Sequence, residues 1–270
     1  MKYVVCYSGG HSSAICAVEA VRRHGKENVI LLNHDICERV EDADVKRFKK
    51  EVADRLGIEI TYANMKDCET KDQFDVCMEI KAFKCGNQSE ALCTNRLKTR
   101  PFIEWLKENY PSEPGGARQD VTVLYGFDSS EQNRISRRRK ILLSMGYMSE
   151  YPLSEWPRTI QKIEEIGIKR PETYLYRKHA NCSGCLKGGI QHWYVTYCLD
   201  PEIFEKAKRA EEQIGHSILR KGYLKEYEKR FRTMKAAGVL PTENIKSGKF
   251  WAEARRKIKD YFEEGGGWEL

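Results

Sequence analysis

The sequence lacks a long apolar run. No stretch of it approaches the about 18 consecutive apolar residues that a membrane-spanning helix needs. The opening "MKYVVCYSGG" is broken by serine and glycine too early to form the apolar core of a secretory signal peptide. We also find no internal repeat and no low-complexity tract. We therefore expect a cytoplasmic protein that has no membrane association.

The two commonest glycine-rich phosphate-binding patterns, the Walker loop and GxGxxG, are absent as well. The composition, with 40% hydrophobic and 32% charged residues in 270, is ordinary for a globular protein. This length can bury the core of one large domain, or of one domain with an appendage. The net charge of +7 suits a polyanionic partner or a nucleotide without choosing between them.

Strands and helices alternate through the first third of the chain. Apolar runs predict strands in "KYVVCY", "NVILLNH" and "IEITYAN", and amphipathic runs predict helices in "SSAICAVEAVRRHG" and "DADVKRFKKEVADRLG". A further buried strand, "VTVLYGF", precedes the basic helix "SSEQNRISRRRKILLSMG". This order predicts an α/β fold, a doubly wound and mainly parallel sheet. We assign residues 1–199 to this domain and residues 200–270 to a small helical C-terminal appendage.

The loop "YSGGHSSA" follows the first predicted strand, where ligands bind in parallel sheets. Gly9 and Gly10 would let backbone N–H groups approach an anion, and the next helix offers its positive N-terminal end. Ser12 and Ser13 add hydroxyl donors. The other interpretation is a tight turn followed by a serine-capped helix. The position after the first strand favours phosphate binding.

Ten cysteines without a secretion signal favour metal binding or redox chemistry over disulfides. Cys182 and Cys185 form a CxxC pair, and Cys85 and Cys93 lie about a hundred residues earlier. Four thiolates in two pairs suit tetrahedral zinc or a [4Fe–4S] cluster. The alternatives are that the CxxC is redox-active or incidental.

The segment "SGGHSSA" resembles the PP-loop, usually SGGxDS, of the adenosine-nucleotide α-hydrolases. This superfamily includes the N-type ATP pyrophosphatases, the ATP sulfurylase small subunit and the phosphoadenosine phosphosulfate (PAPS) reductases. Four further segments resemble family motifs in the same order, over residues 1–190: "LLNHDICE", "CTNRLKTRP", "YGFDSSEQNRISRRR" and "YPLSEWPRTIQKIEEIGIKRPETYLY". Ser12 stands where the family has aspartate, which leaves open whether a magnesium ion binds there.

The resemblance implies a PP-loop, Rossmann-like fold that binds ATP or an adenylyl sulfate-type nucleotide. It implies catalytic roles for Ser8, Lys98 and Arg134. The implied nucleotide contacts are Tyr7, Ser8, Gly9, Gly10, His11, Ser12, Ser13, Asn33, Asp35, Gly126, Arg134 and Arg137. Arg138 and Arg139 could equally serve a nucleic-acid substrate.

The resemblance also favours iron–sulfur over zinc, because cluster-bearing sulfonucleotide reductases have cysteines at the places of Cys93, Cys182 and Cys185. Those reductases carry two adjacent cysteines in the first pair, whereas Leu92 precedes Cys93 here. Cys85 would therefore supply the fourth ligand.

Three functions are consistent with the sequence. In the first, the protein cleaves ATP between the α and β phosphates and adenylates a substrate for sulfur transfer. Its partners would be an adenine nucleotide and a nucleic-acid substrate or a sulfur-donor protein. In the second, it is a sulfonucleotide reductase that forms sulfite, although no cysteine after Cys198 could serve as the nucleophile. In the third, it is a non-catalytic nucleotide-binding regulatory partner, for which Ser12 is the main argument. The acceptor and the oligomeric state are left open.

Overall fold

The computed structural model describes residues 1–68, 70–86, 90–112 and 116–263. Five strands form one sheet in the order β3–β2–β1–β4–β5, and each pair of neighbours is parallel. The strands are β1 (Lys2–Cys6), β2 (Val29–Asn33), β3 (Ile60–Tyr62), β4 (Arg118–Leu124) and β5 (Tyr147–Glu150). The prediction of a mainly parallel α/β sheet is confirmed.

The helices are numbered in chain order. They are α1 (His11–His24), α2 (Ala43–Leu56), α3 (Gln73–Ile80), α4 (Leu92–Thr94), α5 (Arg100–Asn109), α6 (Gln132–Ser144), α7 (Pro152–Glu155), α8 (Ile190–Leu199), α9 (Pro201–Ile214), α10 (Leu224–Ala236) and α11 (Ser247–Glu263). A π-helical segment, Asn95–Thr99, lies between α4 and α5. Among the described residues, none of the helices has the length and apolar character needed to cross a membrane.

The sheet is covered on both faces. Successive residues of a strand point to opposite faces, and Val4 and Val5 of β1 belong to two different apolar clusters. Val5 packs with residues of α1 and α2. Val4 packs with residues of α5 and α6. Burial on both faces explains why the strands read as continuous apolar runs, and it makes the sheet doubly wound.

The strand order reverses at β1. Strands β2 and β3 extend to one side of it, and β4 and β5 extend to the other. In open parallel sheets this reversal opens a crevice between the loops that leave the carboxyl ends of the two central strands. Here those loops follow β1 and β4, so they include Gly9, Gly10 and Gly126.

The contacts divide the chain into two compact units. Unit 1 comprises Met1–Asp35, Ala43–Glu69 and Leu97–Pro171, and contains the whole sheet. Unit 2 comprises Ile36–Asp42, Thr70–Arg96 and Glu172–Leu270. Residues 172–199, which the sequence analysis assigned to the first domain, thus share their contacts with the C-terminal helices. The division into domains at residue 200 stays a prediction.

Unit 2 is helical and has an aromatic core of its own. The rings of Trp193 and Tyr194 of α8 are fully buried. Trp193 meets Phe204 of α9 edge to face, at a centroid distance of 6.3 Å. Tyr194 meets Phe231 of α10 in the same way at 5.5 Å. Such edge-to-face pairs fix the mutual angles of the helices that carry them.

Candidate functional site

The loop after β1 turns through a left-handed glycine. Gly9 has a φ of +75°, a conformation that side chains with a Cβ rarely adopt. Gly10 precedes the first residue of α1 in an extended conformation, and no side chain caps the helix there. A helix N-terminus without a side-chain cap suits an anion.

The serines of this loop are not equivalent. The Ser13 hydroxyl is buried and donates to the Gly10 carbonyl oxygen at 2.8 Å. The Ser8 hydroxyl donates to Ser13 Oγ at 3.3 Å. Ser8 and Ser12 are exposed at the rim of the loop. Ser13 therefore stabilises the turn, whereas Ser8 and Ser12 are accessible to a ligand.

Gly126, in the loop after β4, lies against the start of α1. A Cβ atom at this position would come within 2.6 Å of the Ser12 carbonyl oxygen and 3.1 Å of the Ser13 nitrogen. Only glycine permits this approach. The structure thus brings the glycines that follow β1 and β4 together at the reversal of the strand order. Their contact with a nucleotide stays a prediction.

A buried lysine, which the sequence analysis did not identify, lies beneath the loop. Lys49 of α2 is only 1% exposed, and a Cβ atom at Gly9 would come within 2.7 Å of its Cγ atom. Its Nζ atom donates to Asn33 Oδ1 at 3.2 Å. Its carbonyl oxygen accepts from the Tyr7 hydroxyl at 3.0 Å. A positive charge is thereby held under the turn of the proposed phosphate loop.

Asn33 and Tyr7 hold the loop from within. Asn33 is 3% exposed, and its Nδ2 atom donates to the Tyr7 carbonyl oxygen. Tyr7 is 1% exposed, and its N–H donates to the Leu32 carbonyl at 2.8 Å. Both side chains therefore position the backbone of the loop. Their predicted contact with a nucleotide stays a prediction.

His34 follows β2 as a neutral imidazole. Its Nδ1 atom donates to the Ala63 carbonyl oxygen at 2.5 Å. Burial lowers the pKa of His34 to about 4, although the bond to Ala63 opposes this, and the charges of Lys98 and Lys49 lower it further. Its Nε2 atom is then an acceptor. The neighbouring Asp35, also predicted to contact nucleotide, is paired with Lys46 at 2.8 Å.

The side chain of His11, the first residue of α1, makes a contact within unit 1. Its Nε2 atom accepts a hydrogen bond from the Ile163 N–H at 3.3 Å. Burial lowers the pKa of His11, and the charge of Arg170 adds to the effect. This side chain therefore connects α1 to the segment that follows α7. A nucleotide contact from its backbone N–H stays a prediction.

The arginine side chains of α6 differ in the contacts that they make. The Arg134 guanidinium lies 4.1 Å from the centre of the Phe127 ring and is paired with Glu131. Arg138 and Arg139 lie over Tyr125 and Tyr151. Arg137 is exposed, and among the described residues it has no hydrogen-bond or ion-pair partner. Of the predicted phosphate contacts on α6, Arg137 is therefore the more available one.

In unit 2 the CxxC turn is tightly held. Gly184, between the two cysteines, has a φ of +65°, and a Cβ atom there would come within 2.8 Å of Ile203. The Ser183 N–H donates to the Val40 carbonyl oxygen at 2.8 Å. Gln73 of α3 donates to the Ser183 carbonyl oxygen at 2.7 Å. Three separate segments of unit 2 thus fix the conformation of Cys182 and Cys185.

His192 of α8 supports the same turn. Its Nε2 atom accepts from the Cys185 N–H at 2.9 Å, and its Nδ1 atom donates to Glu243 at 2.5 Å. A Cβ atom at Gly188 would collide with the His192 ring. The hydrogen bond from His192 lowers the pKa of Glu243, although burial alone would raise it. Sequence reasoning could not pair His192 with Glu243, because 51 positions separate them.

Cys85 and Cys93 belong to the same unit. Each lies within two residues of a short antiparallel bridge between Lys84 and Ala91. Burial raises the pKa of the neighbouring Cys77, and the charges of Cys93 and Cys85 raise it further, which places a third thiol beside this pair. Among the described residues, no three His, Cys, Asp or Glu side chains are arranged to hold a metal ion. The [4Fe–4S] or zinc site stays a prediction, and no step proposed below depends on it.

Comparison with protein-family models, with curated proteins and with solved structures found no significant match. The fold and the geometry of the loops are therefore the basis for the function proposed next.

Proposed function

We propose that unit 1 binds an adenine nucleotide and that the protein cleaves ATP between the α and β phosphates to adenylate an acceptor for sulfur transfer. The observation that carries the proposal is the loop Ser8–Gly10. It leaves β1 at the reversal of the strand order, turns through a left-handed glycine over the buried Lys49, and ends at an uncapped helix N-terminus.

Each of these features favours an anion. Backbone N–H groups at a helix N-terminus and the helix dipole both attract phosphate. A buried ammonium group costs free energy unless a negative charge or a hydrogen bond compensates it. Asn33 Oδ1 supplies a neutral acceptor at 3.2 Å. A bound phosphate would add the negative charge, so Lys49 gives the loop an electrostatic preference for anionic ligands.

The chemistry requires neutralisation of the leaving group. A nucleophilic oxygen of the acceptor would attack the α-phosphorus, the bond from that phosphorus to the bridging oxygen would break, and pyrophosphate would leave. The loop N–H groups would hold the phosphates, with Ser8, Lys98, Arg134 and Arg137 as the candidate side chains around them. A sulfur nucleophile from a donor protein would then displace AMP from the adenylated acceptor.

A non-catalytic nucleotide-binding protein is the second candidate function. Ser12 favours it, because this exposed position carries a hydroxyl in place of the aspartate found in the family that the sequence resembles. A hydroxyl can contact phosphate but is a weaker ligand for magnesium than a carboxylate. In this case ATP would bind and would not be cleaved. Reduction of an adenylyl sulfate-type nucleotide to sulfite is a third candidate function.

The experiment that separates these functions has two measurements. Calorimetric titration with ATP and with GTP tests nucleotide binding and the preference for adenine. Pyrophosphate release from ATP, with anaerobically purified protein and candidate acceptors, tests the cleavage. Binding without pyrophosphate release would favour the regulatory function, and release of sulfite from adenylyl sulfate would favour the reductase. Absence of nucleotide binding would overturn the proposal.

A further inference from the structure

Unit 2 contains a cavity of about 470 Å³ that none of the functions above uses. This volume lies within the range of small-molecule sites, about 300–1,000 Å³. Three stretches of unit 2 line it: Phe83, Lys84 and Ala91; Leu186–Ile190; and Ser217–Lys221, together with Tyr227 of α10.

The charged residues around the cavity all have the same sign. Lys84, Lys187, Arg220 and Lys221 line it, and the described residues of the lining include no aspartate or glutamate. All four are exposed. Within the part of the chain that the structure describes, none of the four forms an ion pair. Four uncompensated cations around one concavity attract an anion and disfavour a neutral or cationic ligand.

The interior of the cavity is apolar. Phe83, Ala91 and Leu219 are less than a tenth exposed, so they form a desolvated floor. Tyr227 adds an aromatic ring, which is itself stacked on Phe231 at a centroid distance of 6.0 Å. Aromatic side chains at the edge of a basic site provide a surface on which bases stack. A small inorganic anion would leave this apolar surface unused.

We propose that this cavity binds a nucleotide, with its base against the apolar floor and Tyr227 and its phosphate among the four cations. Lysine and arginine both pair with phosphate, and arginine does so through two parallel N–H groups. The nucleotide can be a free mononucleotide or one residue of a single-stranded nucleic acid. The proposal concerns binding in unit 2 and holds whether or not the loop of unit 1 binds ATP.

Two residues that line the cavity are direct sequence neighbours of the paired cysteines. Lys84 directly precedes Cys85, and Leu186 directly follows Cys185. The lining therefore includes a direct sequence neighbour of one cysteine from each pair.

Two probes test the proposal and distinguish the sources of the nucleotide. Uridine 5′-monophosphate is titrated calorimetrically, and a fluorescein-labelled oligouridylate of eight residues is titrated by fluorescence anisotropy. The charge-reversing pair Lys187→Glu and Arg220→Glu should weaken binding of the recognised probe at least tenfold. Tyr227→Leu should weaken it several-fold, since it removes the ring and keeps an apolar side chain.

Matched variants serve as controls. The pair Lys249→Glu and Arg255→Glu makes the same charge change at exposed positions of α11 that do not line the cavity, and it should leave the affinity within about twofold. Gly9→Val alters only the loop of unit 1, so retained affinity in this variant separates the two sites. If charge reversal at residues 187 and 220 unfolds the protein, Lys187→Gln with Arg220→Gln replaces it.

The outcomes are distinct. Binding of the monophosphate identifies a free nucleotide as the ligand, and binding of the oligonucleotide alone identifies a nucleic-acid strand. Equal losses in the cavity pair and in the α11 pair would show nonspecific charge attraction and overturn the proposal. Failure of both probes to bind the wild-type protein would overturn it as well.

Discussion

A Cβ atom at Gly9 would lie 2.7 Å from Cγ and 2.8 Å from Cδ of Lys49, so the backbone of the loop after β1 packs directly on the aliphatic stem of a buried lysine. This contact joins two elements that are far apart in the sequence, the loop after β1 and the middle of α2.

Gly9→Val should abolish ATP binding by the loop of unit 1. The side chain would collide with Lys49 and would also be strained at a φ of +75°, so we expect ATP affinity to fall at least a hundredfold by calorimetry. Gly167→Val is the matched control, because Gly167 has a φ of +81° and open space around its Cβ position. Unchanged ATP affinity in Gly9→Val would show that the loop is only a helix cap.

Lys49→Met should weaken ATP binding without lowering the free energy of unfolding. Methionine fills the volume of the stem and removes a buried charge, and such replacements are often neutral or stabilising. We expect the free energy of unfolding to stay constant or to rise, whereas ATP affinity falls at least tenfold. Lys50→Met changes the exposed neighbouring residue and should alter neither. Full ATP affinity in Lys49→Met would contradict a role for this charge.

Stability should fall as the pH decreases from about 6.5 to about 4. In this window an unfolded chain protonates His34 at its ordinary pKa of 6.5, whereas the folded protein keeps it neutral down to about 4. The unfolded state then binds more protons, so the free energy of unfolding decreases toward acid pH, by about 1 to 3 kcal/mol for this residue.

Urea unfolding at pH 7.0 and at pH 4.5 measures this effect. His34→Asn should reduce the difference in stability between the two pH values relative to the wild-type protein. His216→Asn, at an exposed position, should leave the difference unchanged. An identical difference in His34→Asn and in the wild-type protein would mean that other groups cause the acid sensitivity.

Anaerobically purified protein should be brown and carry one [4Fe–4S] cluster, with zinc as the second choice. Bound iron and the broad visible absorbance should fall in each of the variants Cys85→Ser, Cys93→Ser, Cys182→Ser and Cys185→Ser, since thiolates are the ligands of both metals. Cys198→Ser is the control, because Cys198 lies in α8 outside the predicted set. Colourless protein with one zinc would exclude the cluster, and metal-free protein would remove the site altogether.

The parallel sheet could be predicted because strands buried on both faces leave continuous apolar runs between amphipathic helices. The loop after β1 could be located for the same reason, since its glycines follow the first such run. Gly126 could be placed only through the family resemblance, and the structure supplies the physical reason in its approach to Ser12.

Other features of the site could not be predicted from the sequence. Lys49 occupies the buried face of α2 together with Val45, Phe48 and Val52, and a lysine among charged neighbours is normally assigned to solvent. The hydrogen bonds of Asn33 to Tyr7 and Lys49 depend on tertiary contacts, so no local pattern indicates them. The support of the CxxC turn by Gln73 and His192 joins segments that no local pattern connects.

Unit 2 is assembled from three stretches of chain that alternate in sequence with those of unit 1. A single cut in the gene therefore cannot release either unit as a complete module, and recombination cannot exchange one without rewriting the other. During synthesis, residues 36–42 and 70–96 leave the ribosome long before residues 172–270, with which they pack. At ordinary elongation rates they wait on the order of ten seconds. Over that interval the apolar side chains of α3 lack their native neighbours from α9.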